Sequence, residues 1–281
     1  MVGKQKVFNF FKEDGEHVME TQFIQLTNGK MAYFDQGNGT PIVLLHGFCG
    51  SNRYWEKVIP SLTEKYRVIA PDLPGHGDTT IFKENDTIEV FADVIKEFLD
   101  ELNVDKVTMF GHSLGGYITL AFAEKYSERL SGFSLVHSTA YPDSDDAKKG
   151  REANVTKVQE LGISALIDGL VPKLFSPENV EENAEYVDTT RQIGYSTSPQ
   201  GAMSTLIAMK NRPDRNYILE ETTLPVLLIA GEKDRIIPKE NTFSVTKSNI
   251  KQVVIKDSGH MSMYESFNEL ISEIDKFLIE V

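Results

Sequence analysis

Gly111-His112-Ser113-Leu114-Gly115 sets a serine between two glycines, at the point where the apolar run VTMF gives way to a segment of helical period. A serine hydroxyl is a weak nucleophile unless it is exposed and stands beside a base. A sharp strand-to-helix turn would supply the exposure by lifting the oxygen above the edge of a sheet. Glycines two positions to either side leave room where side chains would collide. The helix that follows would point its free N–H groups at the site and so favour developing negative charge. The chemistry to look for is therefore acyl transfer through Ser113.

A serine nucleophile calls for an acid and then a histidine further along the chain. Of the six histidines, only His137 and His260 follow Ser113 at any separation. His260, in DSGHMSMYE, is expected in a loop between the last strand and the last helix, where it could swing over the sheet edge. His137 ends a strand in LVHSTA, and a buried histidine is the plainer reading there. For the acid, GEKDRIIP offers Glu232 and Asp234. Asp234 is preferred, because Glu232 lies nearer the strand end and has a longer side chain to place; Asp143 is the rival. Such an acid would fix the imidazole tautomer and stabilise its charged form. The backbone N–H groups of Phe48, after the apolar run PIVLLHG, and of Leu114 are the candidate donors to an oxyanion. His112, Cys49 and His137 are candidate pocket residues, and His46 is read as stabilising a turn.

These groups need elements to hold them. FIQLTNGKMAYFDQG (23–37) reads as a hairpin turning at Asn28-Gly29. PIVLLHG, YRVIAPDL, KVTMFG, FSLVHS, PVLLIAG and KQVVIKDSG are continuous β-branched runs, the pattern of strands buried on both faces. Between them, Ile88, Phe91, Val94, Ile95, Phe98, Leu99 and Leu102 form one helical stripe. Phe267, Leu270, Ile271, Ile274, Phe277 and Leu278 form another. Both are read as core-facing. The expected fold is α/β: a mostly parallel eight-stranded sheet with an antiparallel N-terminal hairpin and helices on both faces. The alternation breaks once, where Ser176-Pro177 and Ser198-Pro199 each place a capping residue before a proline. A helical insertion after the sixth strand is expected there, with residues 141–213 as a cap and residues 1–140 and 214–281 as the core domain. The acid-rich stretch 178–188 is read as a solvated face.

Composition narrows the function classes. The 281 residues are 40% hydrophobic and 25% charged, an ordinary globular balance. A net charge of -13 argues against a nucleic-acid partner. The lone Cys49 rules out an internal disulfide and fits a reducing, cytoplasmic compartment. The N-terminal run Val7–Phe11 is too short for the apolar part of a signal peptide, and no run approaches membrane-span length. There is no HExxH, no paired CxxC, no Walker loop and no G-x-G-x-x-G at a first strand–helix junction. No metal and no cofactor are expected. Oligomeric state is not readable.

Five stretches in order give the chain a wider likeness: HGFCGSNRYW, PDLPGHGDT, GHSLGG, GEKDRIIP and DSGH. Together they resemble the α/β-hydrolase fold family over nearly the whole chain. The resemblance implies Ser113 as nucleophile, Asp234 as orienting acid, His260 as base, and Phe48 and Leu114 as oxyanion donors. It also implies that residues 141–213 cover the pocket. The expected activity is that of a serine hydrolase on a small, largely apolar ester, thioester or lactone, with Leu166, Leu170, Leu174 and Phe175 as candidate pocket residues. Two alternatives stay open. One is carbon–carbon hydrolysis or a lyase reaction with the same triad, favoured by a buried pocket arginine such as Arg191 or Arg212. The other is a non-catalytic small-ligand receptor.

Overall fold

Continuous apolar runs make stable strands only where helices cover both faces of the sheet. The computed structural model describes residues 20–82 and 86–281; the run Val7–Phe11 lies outside the described residues. Its strands are β1 (Gln22–Leu26), β2 (Gly29–Gln36), β3 (Pro41–Leu45), β4 (Arg67–Pro71), β5 (Val107–His112), β6 (Leu130–Val136), β7 (Val226–Gly231) and β8 (Ile250–Ile255). They form one sheet in the order β1-β2-β4-β3-β5-β6-β7-β8. β1 and β2 pair antiparallel with each other, as β2 does with β4, and every later pairing is parallel. From β3 the chain steps to β4 on one side and then to β5 on the other. That reversal opens a crevice at the carboxyl ends of β3 and β5, where ligands of open α/β sheets collect.

The hairpin differs in one detail from its sequence signal. Thr27 and Asn28 make the turn, while Gly29 pairs with Leu26 as the first residue of β2. Gly29 is required for a packing reason: a Cβ there would strike Phe82 and Thr80.

Helices α1 (Ile59–Thr63), α2 (Ile88–Glu101) and α3 (Leu114–Tyr126) follow β3, β4 and β5. α2 buries Ile88, Phe91, Val94, Ile95, Phe98 and Leu99, the stripe read from its period. After β6 the chain runs through α4 (Asp145–Leu174), α5 (Ala184–Tyr195) and α6 (Pro199–Asn211) before a short further helix leads into β7. α4 bends at Gly162, whose φ of 81° is open to glycine. Ser198 caps α6 with Pro199 at its first position, as expected. Ser176-Pro177 does not start a helix. Its segment runs through hydrogen-bonded turns to Ala184; the Ser176 N–H donates to Glu265 and Asn179 Nδ2 donates to Asp257 O. The remaining helices are α7 (Asn216–Glu221), α8 (Lys239–Thr242), α9 (Ser262–Glu265) and α10 (Phe267–Glu280). α10 lays Phe277 edge-on against Phe110 of β5. No helix among the described residues is long and apolar enough to cross a membrane.

The helices inserted after β6 are tied to the loop after β4 by backbone alone. Ser198 N donates to Gly75 O at 3.1 Å. Gly75 and Gly201 approach so closely that a Cβ on Gly201 would lie 2.5 Å from Gly75 O, and one on Gly75 2.6 Å from Gly201 Cα. Neither partner can swing aside as a side chain could. Gly201→Ala should therefore lower unfolding free energy by about 1–3 kcal/mol in urea titration. Gly150→Ala, on an exposed turn of α4 with nothing within 4 Å, should be neutral or stabilising by up to about 1 kcal/mol.

Candidate active site

The turn from β5 into α3 holds Ser113 at φ 51° and ψ −111°, a conformation that non-glycine residues rarely adopt. The surroundings enforce it. Ser113 N donates to Val136 O at 2.9 Å, and Ser138 Oγ donates to Ser113 O at 2.7 Å. A Cβ on Gly111 would strike Gly115 and Thr119, one on Gly115 would lie 2.6 Å from Leu45 O, and one on Gly116 would strike Ser138. These glycines therefore serve close approach; none of the three has a positive φ.

Asp234 lies just past β7. Its Oδ1 accepts from Ile236 N at 2.8 Å and Ile237 N at 3.0 Å, which leaves Oδ2 for His260 Nδ1 at 2.8 Å. Burial pushes this carboxyl up, but His260 and His137 pull it far below its ordinary value. Asp234 is thus held as a carboxylate. The rivals are engaged elsewhere: Asp143 with Arg151 and Arg212, Glu232 with Asp257 N. Engaging His260 at Nδ1 leaves its Nε2 free for the cavity it borders.

That cavity, of about 490 Å³, is lined by Ser113 and His260 together with Phe48, Tyr54, His112 and Tyr117. Among the described residues no hydrogen bond joins Ser113 Oγ to the His260 ring; the two share the cavity wall. Nor does the N–H of Phe48 or Leu114 donate to a protein acceptor among those residues. Leu170 and Leu174 of α4 line the cavity, whereas Leu166 and Phe175 are buried away from it.

The other candidates separate. His112 borders the cavity, and its Nε2 donates to His260 O at 3.0 Å. Burial, then His260 and His137, hold its pKa well below the ordinary histidine value, so it stays neutral. Cys49 and His137 are fully buried and do not line the cavity, which corrects their reading as pocket residues. Cys49 is packed into the core and its thiol is pushed up by burial. His137 sits behind Asp234, with Nδ1 3.3 Å from Oδ2 and Nε2 2.7 Å from Ser262 Oγ. His46 accepts from Leu73 N and contacts Gly47 O, in keeping with a turn-stabilising role.

His137, Asp234 and His260 offer three donor atoms within 4.8 Å of one another. The 2.8 Å His260–Asp234 contact is a hydrogen bond, closer than the about 3.3 Å that two ligands of one tetrahedral zinc would keep.

One residue of the site was missed by sequence reasoning. Glu265 accepts from Ser176 N at 2.7 Å, Gly259 N at 2.9 Å and Met261 N at 3.3 Å. Its carboxylate thereby joins the His260 loop to the segment leaving α4. His260 N adds a direct link, donating to Leu174 O at 2.7 Å. Burial raises the Glu265 carboxyl, and the three N–H donors restrain the rise. A carboxylate five residues past a histidine carries no sequence pattern that would single it out. Glu265→Gln turns an amide N–H₂ toward those donors and should cost about 1–3 kcal/mol in urea unfolding. Glu269→Gln, exposed on α10, should change stability by less than about 0.5 kcal/mol.

Comparison with known proteins places this geometry in a family. The alpha/beta hydrolase fold profile matches residues 40–267. A thermophilic esterase from Thermogutta terrifontis, solved with malate bound, superposes with a TM-score of 0.88 at 30% identity, over 92% of this chain and 98% of its own. The enol-lactonase of Burkholderia xenovorans LB400 shares the fold at 21% identity, TM-score 0.85, over 92% of this chain and all of its own. The dihydrolipoyllysine-residue acetyltransferase component of an acetoin cleaving system in Pseudomonas putida is 26% identical over 257 residues, 88% of this chain; the chain spans 66% of that relative's length. With its eight-stranded sheet, its strand-to-helix turn at Ser113 and a profile match over most of its length, the chain belongs to the alpha/beta hydrolase fold family.

Proposed function

We propose that the chain is a serine hydrolase cleaving a small carboxylic ester, thioester or lactone through Ser113, His260 and Asp234. The observation that carries the reading is the 2.8 Å His260–Asp234 hydrogen bond, formed by two buried side chains at the carboxyl edge of the sheet, with His260 and Ser113 on one cavity. The similarity to an esterase at 30% identity supports it.

In this mechanism Nε2 of His260 takes the Ser113 proton as the serine oxygen adds to the substrate carbonyl. A Ser113–His260 hydrogen bond forms as substrate is engaged. Asp234 keeps Nδ1 protonated and stabilises the imidazolium. The tetrahedral oxyanion accepts from the N–H groups of Phe48 and Leu114, at the amino end of α3. Collapse expels the alcohol or thiol, which takes the proton from His260, and leaves Ser113 acylated. Water then adds to the acyl carbon while His260 removes its proton. The second collapse returns that proton to Ser113 and frees the acid. Residues 141–213 act as the cap, with Leu170 and Leu174 giving the pocket its apolar side.

Carbon–carbon hydrolysis by the same triad is the second reading, favoured by Arg212, which is buried and borders the cavity. Arg191 does not line it and pairs with Asp168 and Asp188 at the surface.

Steady-state hydrolysis of p-nitrophenyl acetate and butyrate tests the first reading. Wild type should turn over many times, Asp234→Asn should lose about 10⁴ in kcat, and Ser113→Ala should fall to background, each with an unchanged circular-dichroism melt. An inert wild type that instead splits a vinylogous β-diketone would favour the second reading.

A further inference from the structure

Three charged side chains on the cavity wall take no part in that mechanism. Asp143, with a side chain 4% exposed, receives two guanidiniums: Arg212 Nη1 at 2.6 Å on Oδ1 and Arg151 Nε at 3.0 Å on Oδ2. All three border the same cavity as Ser113, and no other Asp or Glu does. Neither arginine is paired with a second acid among the described residues. The trio thus carries one surplus positive charge, inside a chain whose net charge is -13. A surplus charge at a largely buried site is costly unless an anion answers it.

The donors are also unspent. Arg212 uses Nε on Tyr141 O and Nη1 on Asp143 and Met209 O, while Nη2 has no acceptor among the described residues. Arg151 uses only Nε, so Nη1 and Nη2 remain. Arg151 is anchored at Nε by Asp143, and Arg212 is fixed by Asp143, two backbone carbonyls and the Tyr117 ring, 4.0 Å from its guanidinium carbon. Guanidinium N–H pairs match the geometry of a carboxylate. Tyr117 stands one helical turn after Ser113, so the Arg212 guanidinium stacked on its ring borders the same cavity as the nucleophile.

We propose that Arg151 and Arg212, braced by Asp143, form a carboxylate subsite, so that the preferred substrate is an ester that also carries a free carboxylate. This rests on the serine hydrolase reading and narrows its substrate class. Arg151 and Arg212 bind and orient the substrate; they do not touch the reacting atoms.

The test compares kcat/KM for monoethyl glutarate with that for its neutral terminal amide, in a pH-stat, for wild type, Arg151→Gln and Arg151→Lys. Arg151 is chosen because its side chain is 24% exposed and its loss leaves the Arg212–Asp143 pair intact but neutral. Wild type should favour the carboxylate ester by about tenfold or more. Arg151→Gln should cut that preference by about fivefold or more, with Arg151→Lys in between. A wild type that prefers the amide, or a preference untouched in Arg151→Gln, overturns the subsite. If neither ester is turned over, the hydrolase reading has failed and calorimetry judges the subsite alone. Glutarate must then bind wild type more tightly than glutaramide and lose that advantage in Arg151→Gln; equal binding overturns it.

Discussion

A strained backbone at Ser113 is the constraint on which the rest of the site depends. Its φ of 51° is tolerable only because neighbours over-determine it: the Val136 carbonyl, the Ser138 hydroxyl, and a ring of glycines through which β3, β5 and α3 close to near contact. Of the five non-glycine residues with positive φ among the described residues, four sit in loops at the carboxyl edge of the sheet: Cys49 after β3, Ser113 after β5, His137 after β6 and Asp257 after β8. Strain is concentrated where the chain turns sharply at the carboxyl ends of the strands.

The facing half of the site is held by a different device. Asp234 and His260 come from separate loops, so their alignment depends on hydrogen bonds between segments. Two backbone N–H groups set the carboxylate, His112 Nε2 takes the His260 carbonyl, and Glu265 gathers three N–H groups from the histidine loop and the end of α4. The inserted helices are therefore coupled to the histidine. Close passage of Gly231 against Gly259, and of Gly259 against Ser176, completes that joint with bare backbone.

Much of this was legible in the sequence because local chemistry demanded it. The G-x-S-x-G turn, the strands and the α2 stripe are patterns that near neighbours in the chain enforce, and all lie where the residues indicated, although β8, read as buried on both faces, is a partly exposed edge strand. The hairpin signal at Asn28-Gly29 found the turn but shifted it by one residue, because Phe82, distant in sequence, decided where glycine was needed. Ser176-Pro177 looked like a helix start, but turns run from it to Ala184 and its N–H is tied to Glu265, 89 residues away. His137 and Cys49 follow strands whose ends face the cavity, yet both side chains are buried away from it. The Asp143–Arg151–Arg212 cluster spans α4, α6 and the segment between β6 and α4, and no spacing rule could have assembled it. What sequence missed was long-range packing.

The account stands or falls on an activated Ser113. Intact mass after incubation with a fluorophosphonate reads this directly, because the reagent modifies a serine whose hydroxyl is deprotonated by a neighbouring base. The account predicts one adduct on wild type and none on Ser113→Ala. An unmodified wild type, or an adduct that survives in Ser113→Ala, would contradict it.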